Sequence, residues 1–217
     1  MALPEQNAIH VDGLGRRFGL RWVLRGVTFG VARGEVVGLF GANGSGKSTV
    51  LRVLATLLRP NAGSAAINGC DVVRAANDVR AQVGYLAHVA GLYDDLTARE
   101  NLRFAADMLG VPHTHADDAL SKVGLESVAG ERARGFSAGM QRRLALARML
   151  LHRPSVLLFD EPYANLDAEG VGLVNAVITG IVAQGGAALI VLHEQAPAAR
   201  VLSRTITLAS GRIEGAR

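Results

Sequence analysis

Cysteine is nearly missing from this chain of 217 residues, which holds only Cys70. A single cysteine excludes an intrachain disulfide and a cysteine metal site, and it agrees with a reducing compartment. Long apolar runs are missing too, since the longest, 187–192, is far too short to cross a membrane. The first residues show no basic segment followed by an apolar one, so we expect no signal peptide. If the protein works at a membrane, we expect another chain to supply the spans.

Concentrated charge, internal repeats and low-complexity tracts are also lacking. The formal net charge is +4, and the basic residues are scattered, with only pairs at 16–17 and 142–143. A basic excess is compatible with nucleotides, anionic lipid or nucleic acid, but scattered charge favours a solvated surface, and we expect no nucleic-acid partner. With 49% hydrophobic and 19% charged residues, the chain can bury a sizeable core as one domain.

A glycine-rich stretch matches the P-loop pattern G-x-x-x-x-G-K-[ST] at every fixed position. It consists of Gly41, Ala42, Asn43, Gly44, Ser45, Gly46, Lys47, Ser48 and Thr49. Glycines let the backbone curl so that N–H groups point inward, and the helix expected from Lys47 directs its positive end at the same spot. The pattern therefore predicts a triphosphate site, with Lys47 on the β- and γ-phosphates and the Ser48 hydroxyl on Mg²⁺.

An acidic pair follows the apolar run 155–159, which is typical of a central parallel strand. Ligands bind at the carboxyl ends of parallel strands, so Asp160 and Glu161 should face the glycine-rich loop. Asp160 is a candidate for Mg²⁺, directly or through water, and Glu161 for accepting a proton from the hydrolytic water. Ordinary turn or capping bonds are the alternative for such a pair, but the complete P-loop favours function.

Two further side chains are weaker candidates from the sequence. His193 follows the strand expected at 187–192, where it could contact the γ-phosphate, although a histidine at a strand end is often structural. Phe18 lies in a glycine-containing turn upstream of the P-loop and could stack on adenine, although a lone phenylalanine more often belongs to a core.

The patterning predicts an α/β protein. Strand-like segments before residue 87 indicate an antiparallel β region beside the P-loop strand, and helical patterns alone fill 87–152. We expect that block to be a helical subdomain inserted in a single domain of residues 1–217. A capping box at 97–100 begins its first helix, and Ser137 caps its last. Helices are predicted over 48–58, 97–109, 116–123, 138–151 and 168–183, and a terminal hairpin over 204–214.

Residues 137–148 resemble the signature motif of ABC-type ATPases and the helix that follows it. The other elements of that family occur in the same order, including a D-loop at 165–167 and His193 as the switch histidine. The resemblance covers essentially the whole chain. It implies one ATP-binding cassette with a P-loop NTPase core, in which a mixed sheet with helices and an antiparallel β region carries the helical insertion.

The resemblance also implies partners. Two cassettes, identical or different, would pair head to tail around ATP and Mg²⁺, and hydrolysis would release them. A separate transmembrane permease would use this cycle, which places the protein peripherally at the cytoplasmic face of the cell membrane. Phe18 and His193 become nucleotide contacts, and Asp167 belongs to the D-loop. The residues that would cap the partner's ATP are Ser137, Ala138, Gly139 and Met140.

Two positions depart from the family pattern. The signature usually reads L-S-G-G-Q, whereas residues 136–140 read F-S-A-G-M, so Ala138 and Met140 change its finer geometry. The Q-loop position holds His88 in place of glutamine. A neutral imidazole can still serve beside Mg²⁺ and water, but a protonated one adds positive charge there. We therefore expect ATPase activity to fall at acid pH more than in a glutamine enzyme.

The stretch 84–102 is similar to that of the heme-exporter ATPases of cytochrome c biogenesis, the CcmA group, as are the short length and residues 159–163. The leading hypothesis is an ATPase subunit that powers a heme exporter. One alternative is an ABC-2 type exporter ATPase for another small molecule, drug or lipid. Another, of a different class, is a soluble ABC-fold ATPase acting on nucleic acid or ribosomes. The intact Lys47, Asp160 and Glu161 argue against a regulator without turnover.

Overall fold

The computed structural model describes residues 7–193 and 196–216. The strands of these residues form two sheets. In chain order they are β1 (Asn7–Phe18), β2 (Arg21–Ala32), β3 (Val36–Phe40), β4 (Ala62–Ile67), β5 (Cys70–Asp71), β6 (Val83–Leu86), β7 (Val156–Asp160), β8 (Ala187–Val191), β9 (Arg204–Ala209) and β10 (Arg212–Ala216). The antiparallel sheet has the order β2-β1-β4-β5. The mixed sheet has the order β10-β9-β3-β8-β7-β6, with only β10 antiparallel to its neighbour.

Helices cover the mixed sheet and fill most of the segment after β6. They are α1 (Lys47–Leu54), α2 (Ala76–Gln82), α3 (Ala98–Leu109), α4 (Thr114–Lys122), α5 (Ala138–Leu150) and α6 (Ala168–Ala183). This arrangement confirms the predicted α/β class with a mixed sheet, an antiparallel β region and a helical insertion. The limits of that insertion at 87 and 152 remain a prediction. Within the described ranges, no helix is long and apolar enough to cross a bilayer.

The middle strands of the mixed sheet are buried on both faces. On β7, Val156 and Leu158 join one apolar cluster with α1 and the antiparallel sheet, whereas Leu157 and Phe159 join a second with α3, α4 and α5. Both faces being covered explains why this strand has an uninterrupted apolar sequence.

Three functional segments leave the mixed sheet at one edge. The parallel register places Leu39 of β3 and Asp160 of β7 on either side of Val191 of β8. The P-loop, Glu161 and His193 follow directly after these strands. The topology thus gathers the predicted nucleotide residues where ligands of parallel sheets bind.

Most predicted helices are confirmed with small shifts, but α1 ends at Leu54 rather than at residue 58. The cause lies in the backbone, because Thr56 has φ 62° and the N–H groups of Leu57 and Leu58 both turn back to the Arg52 carbonyl. The apolar pattern continues past this turn, so it predicted a helix that extends beyond the observed end of α1. The short elements α2 and β5 were not predicted. In contrast, the capping box of Thr97 and Glu100 opens α3 as expected.

Candidate nucleotide-binding site

The P-loop joins β3 to α1 with a backbone that only glycine accommodates at key points. A side chain at Gly41 (φ 150°) would place its Cβ 2.2 Å from the Leu208 carbonyl oxygen. Gly46, the N-cap of α1 with φ 110°, would clash with Leu24 at 2.7 Å. Glycine at these two positions therefore allows the tight curl of the loop beside the positive end of α1.

Lys47 is almost fully buried inside this curl. Its exposed fraction is 6%, and its amine donates to the carbonyl oxygens of Gly41 at 2.7 Å and Ala42 at 3.1 Å. Ser45 Oγ is also buried and has no hydrogen-bond partner among the described residues. A buried cation and an unpaired hydroxyl within one anion nest fit the phosphates of a nucleotide.

A cleft of about 330 Å³ opens over the P-loop. Glu161 lines this cleft with Lys47, together with Arg21 and Val23 of the β1–β2 hairpin. The structure therefore brings the predicted carboxylate and the predicted phosphate loop to one cleft. Arg21 was missed from the sequence, where nothing distinguishes it from the other scattered arginines.

Glu161 is flanked by both histidines that the sequence singled out. Its Oε1 lies 2.6 Å from His193 Nε2, and its Oε2 lies 3.5 Å from His88 Nδ1. The carboxylate can only accept, so the His193 contact requires the tautomer that carries hydrogen on Nε2. With 27% of its side chain exposed, Glu161 can still meet a water molecule in the cleft. This carboxylate can take a proton from water while the Nε2–H group of His193 holds its direction.

The residues present fit a magnesium ion bound with a triphosphate. Ser48 lies in the first turn of α1, and Asp160 ends β7 with an exposed fraction of 2%. Across the described ranges, no three His, Cys, Asp or Glu side chains form a metal site by themselves. Magnesium does not need one, because it is commonly held by one or two protein oxygens, water and substrate phosphates. Ser48, Asp160 and, at the loop after β6, His88 are the candidate holders.

Phe18 stands at the tip of the β1–β2 hairpin and not in the core. It is 47% exposed, and the guanidinium carbon of Arg16 lies 4.8 Å from its ring centroid. One ring face is thus covered by a cation, and the rest is accessible for stacking.

The signature residues border a separate and larger cleft of about 540 Å³. Ser137 caps α5 by accepting from Met140 N, and a Cβ on Gly139 would lie 3.2 Å from the Asn165 carbonyl oxygen. Asp167 caps α6 through Gly170 N at 2.8 Å and pairs with Arg143 at 3.1 Å, and these contacts lower the pKa of its carboxyl group. Ser137, Ala138, Gly139, Met140 and Asp167 therefore lie together, but this cleft shares no lining residue with the P-loop cleft.

Comparisons with known proteins agree with this geometry. The family described as "ABC transporter" matches residues 24–164. The chain is 38% identical over 211 residues to the daunorubicin resistance ATP-binding protein DrrA3 of Streptomyces coeruleorubidus, covering 95% of this chain and 67% of that protein. It is 39% identical over 210 residues to the cytochrome c biogenesis ATP-binding export protein CcmA of Bordetella bronchiseptica, covering 95% and 91%. A solved ATP-binding subunit of an ABC transporter superposes with TM-score 0.88 at 29% identity, covering 97% and 89%.

Proposed function

The chain belongs to the ABC transporter family, and from that premise we propose that it is the ATP-hydrolysing subunit of an exporter whose membrane-spanning part is a separate permease. The observation that carries this proposal is the position of Glu161, on the wall of the P-loop cleft and between two histidines. A binding protein without turnover would have no use for a carboxylate held there.

The residues divide the reaction between them. Lys47 and the P-loop N–H groups bind the phosphates, and the Lys47 amine exchanges its two loop carbonyls for phosphate oxygens. Glu161 orients the attacking water and accepts its proton, and His193 holds the carboxylate in place by donating from Nε2. Ser48 and Asp160 would hold Mg²⁺, which would supply positive charge to neutralise the phosphate oxygens. Phe18 stacks on the adenine.

The cassette works as a head-to-tail pair. Because the P-loop cleft and the signature cleft share no lining residue, one chain does not cover its own nucleotide with its own signature. A second cassette supplies Ser137 and Gly139 to the nucleotide. ATP stabilises the closed pair, and hydrolysis removes the γ-phosphate on which closure depends. The loop after β6, which carries His88, transmits this change to the permease at the cytoplasmic face of the membrane.

The cargo we propose is heme for the biogenesis of c-type cytochromes. Two observations support this cargo. Stretch 84–102 is similar to that of the CcmA group, and the matches to CcmA proteins cover most of this chain and most of each relative. A drug or lipid exporter of the ABC-2 type is the second candidate, favoured by the similarity to DrrA3.

The deciding experiment is affinity purification from gently solubilised membranes of the source cells. We expect Lys47-dependent ATPase activity, a permease and bound heme in the purified complex. A permease that carries a different small molecule selects the ABC-2 alternative. ATPase activity that is unchanged by Lys47→Ala contradicts the whole proposal.

A further inference from the structure

Arg142, in the second turn of α5, is a buried cation that the mechanism above does not use. Only 6% of it is exposed. In the sequence it is half of an arginine pair, which by itself favours a solvated position. Burial of a charged group is costly unless hydrogen bonds replace its water, so its surroundings require an explanation.

The guanidinium bridges two loops that leave the mixed sheet. After β7 it donates to the carbonyl oxygens of Asp160 at 2.7 Å, Glu161 at 2.8 Å and Pro162 at 3.5 Å. After β6 it donates to the carbonyl oxygens of Ala87 and, at 3.3 Å, of His88. All of these partners are backbone carbonyls, and none is a carboxylate. Each of the three guanidinium nitrogens, Nε, Nη1 and Nη2, therefore donates to at least one backbone carbonyl.

Glu161 needs this support because its backbone is strained. Its φ of 52° lies in the left-handed region, which is unfavourable for a residue with a side chain. Such strain persists only where surrounding contacts hold it, and it tends to occur at functional positions. On one side the Glu161 N–H donates to the Val191 carbonyl at 3.2 Å, and on the other its own carbonyl accepts from Arg142.

We propose that Arg142 is the positioning residue of the ATPase reaction, fixing Glu161 and His88 relative to each other and attaching both to the helix that begins at the signature. This inference rests on the proposed function. Arg142 does not line the P-loop cleft; it acts through the two backbone segments. Losing it frees the strained Glu161 peptide to relax and moves the carboxylate away from His193 and His88.

The test compares Arg142→Met with a matched control on the same helix. Arg148 also donates to carbonyls of the loop after β6, to Ala90 at 2.8 Å and to Gly91, but it makes no hydrogen bond to the described segment after β7. We expect R142M to lower kcat about 100-fold, the loss associated with a misplaced catalytic group, with KM for ATP changed less than about threefold. R148M should keep kcat within about threefold of wild type, because Glu161 keeps its anchor.

A conservative variant separates positioning from folding. Lysine carries a single ammonium and cannot hold both loops, so R142K should fold but stay roughly tenfold or more below wild type in kcat. The affinity for a fluorescent ATP analogue and the thermal midpoint of R142K should match those of R148M. The proposal is overturned if R142K regains wild-type kcat, or if R148M loses as much kcat as R142M.

A spectroscopic readout keeps this inference distinct from the proposed function. The imidazole proton resonances of His193, assigned by their loss in His193→Gln, should shift in R142K and stay in place in R148M, since only the former displaces Glu161. Unshifted resonances in R142K refute the positioning role. ATP hydrolysis by the Lys47→Ala variant at the wild-type rate refutes the proposed function, whatever the spectra show.

Discussion

His193 Nε2 lies 2.6 Å from Glu161 Oε1, although the two residues are far apart in the chain and follow different strands. The register of β7 against β8 places their backbones side by side, and Glu161 makes this contact with a backbone φ of 52°. The contact gives the carboxylate a defined direction within the P-loop cleft.

Replacing Glu161 with glutamine should trap the ATP-bound pair. The amide keeps the size of the side chain but cannot accept a proton, so we expect kcat to fall by about 100-fold or more. ATP binding through the P-loop is retained. Light scattering with ATP and Mg²⁺ should show a dimer, which ADP does not support. A protein that stays monomeric under these conditions contradicts the head-to-tail model.

Phe18→Ala should weaken ATP binding without changing the reaction step. Loss of a base–aromatic stack costs roughly 1–3 kcal/mol, which is about 5- to 150-fold in Kd. The neighbouring Leu20 is 95% exposed and offers a matched control on the same hairpin tip. Calorimetry should find weaker binding for Phe18→Ala and wild-type binding for Leu20→Ala. Equal affinities for the two variants would show that Phe18 is not a platform for the base.

His88→Gln should change the pH profile of hydrolysis. A protonated imidazole at residue 88, 3.5 Å from the Glu161 carboxylate, would add a positive charge that opposes binding of the metal. The wild-type rate should therefore decline more steeply below neutral pH than that of the variant. Superimposable profiles for kcat/KM would remove His88 from the metal site.

His152 should make stability depend on pH. Its Nε2 donates to the Val83 carbonyl at 3.1 Å, and its buried Nδ1 has no partner among residues 7–193 and 196–216, so a second proton finds no acceptor in that part of the chain. Burial lowers the pKa of this imidazole, more than the bond to Val83 raises it.

Because the folded pKa is the lower one, stability is complete above the unfolded value of roughly 6.5 and declines as the pH falls below it. Denaturant titrations from pH 7.5 to 5 should show a smaller loss of unfolding free energy for His152→Gln than for wild type.

The sequence predicted those parts of the structure that depend on local chemistry. The P-loop glycines, the Thr97 cap and the apolar run before Asp160 are readable because adjacent residues determine their conformation. The same is true of α6, whose observed bounds match the predicted ones. The signature and D-loop segments were identified because their motifs occur in the same order as in ABC-type ATPases. The two segments lie together around one cleft.

The remaining features depend on residues that are distant in the chain. The end of α1 is set by the left-handed backbone conformation of Thr56, which the spacing of the apolar residues does not indicate. Arg142 was not recognised because its partners are backbone carbonyls, which carry no side-chain signal. The roles of Glu161, His88 and His193 in hydrolysis remain predictions, although their mutual distances now give each role a defined geometry.

The absence of any common wall between the P-loop cleft and the signature cleft has a consequence for mixtures of damaged chains. A Lys47→Ala chain retains a sound signature, and a Ser137→Phe chain retains a sound P-loop. When the two associate, both lesions meet at one nucleotide and the other nucleotide is enclosed by undamaged residues. Mixing the two inactive preparations should thus restore ATPase activity. A pair of chains that each carry both substitutions should stay inactive.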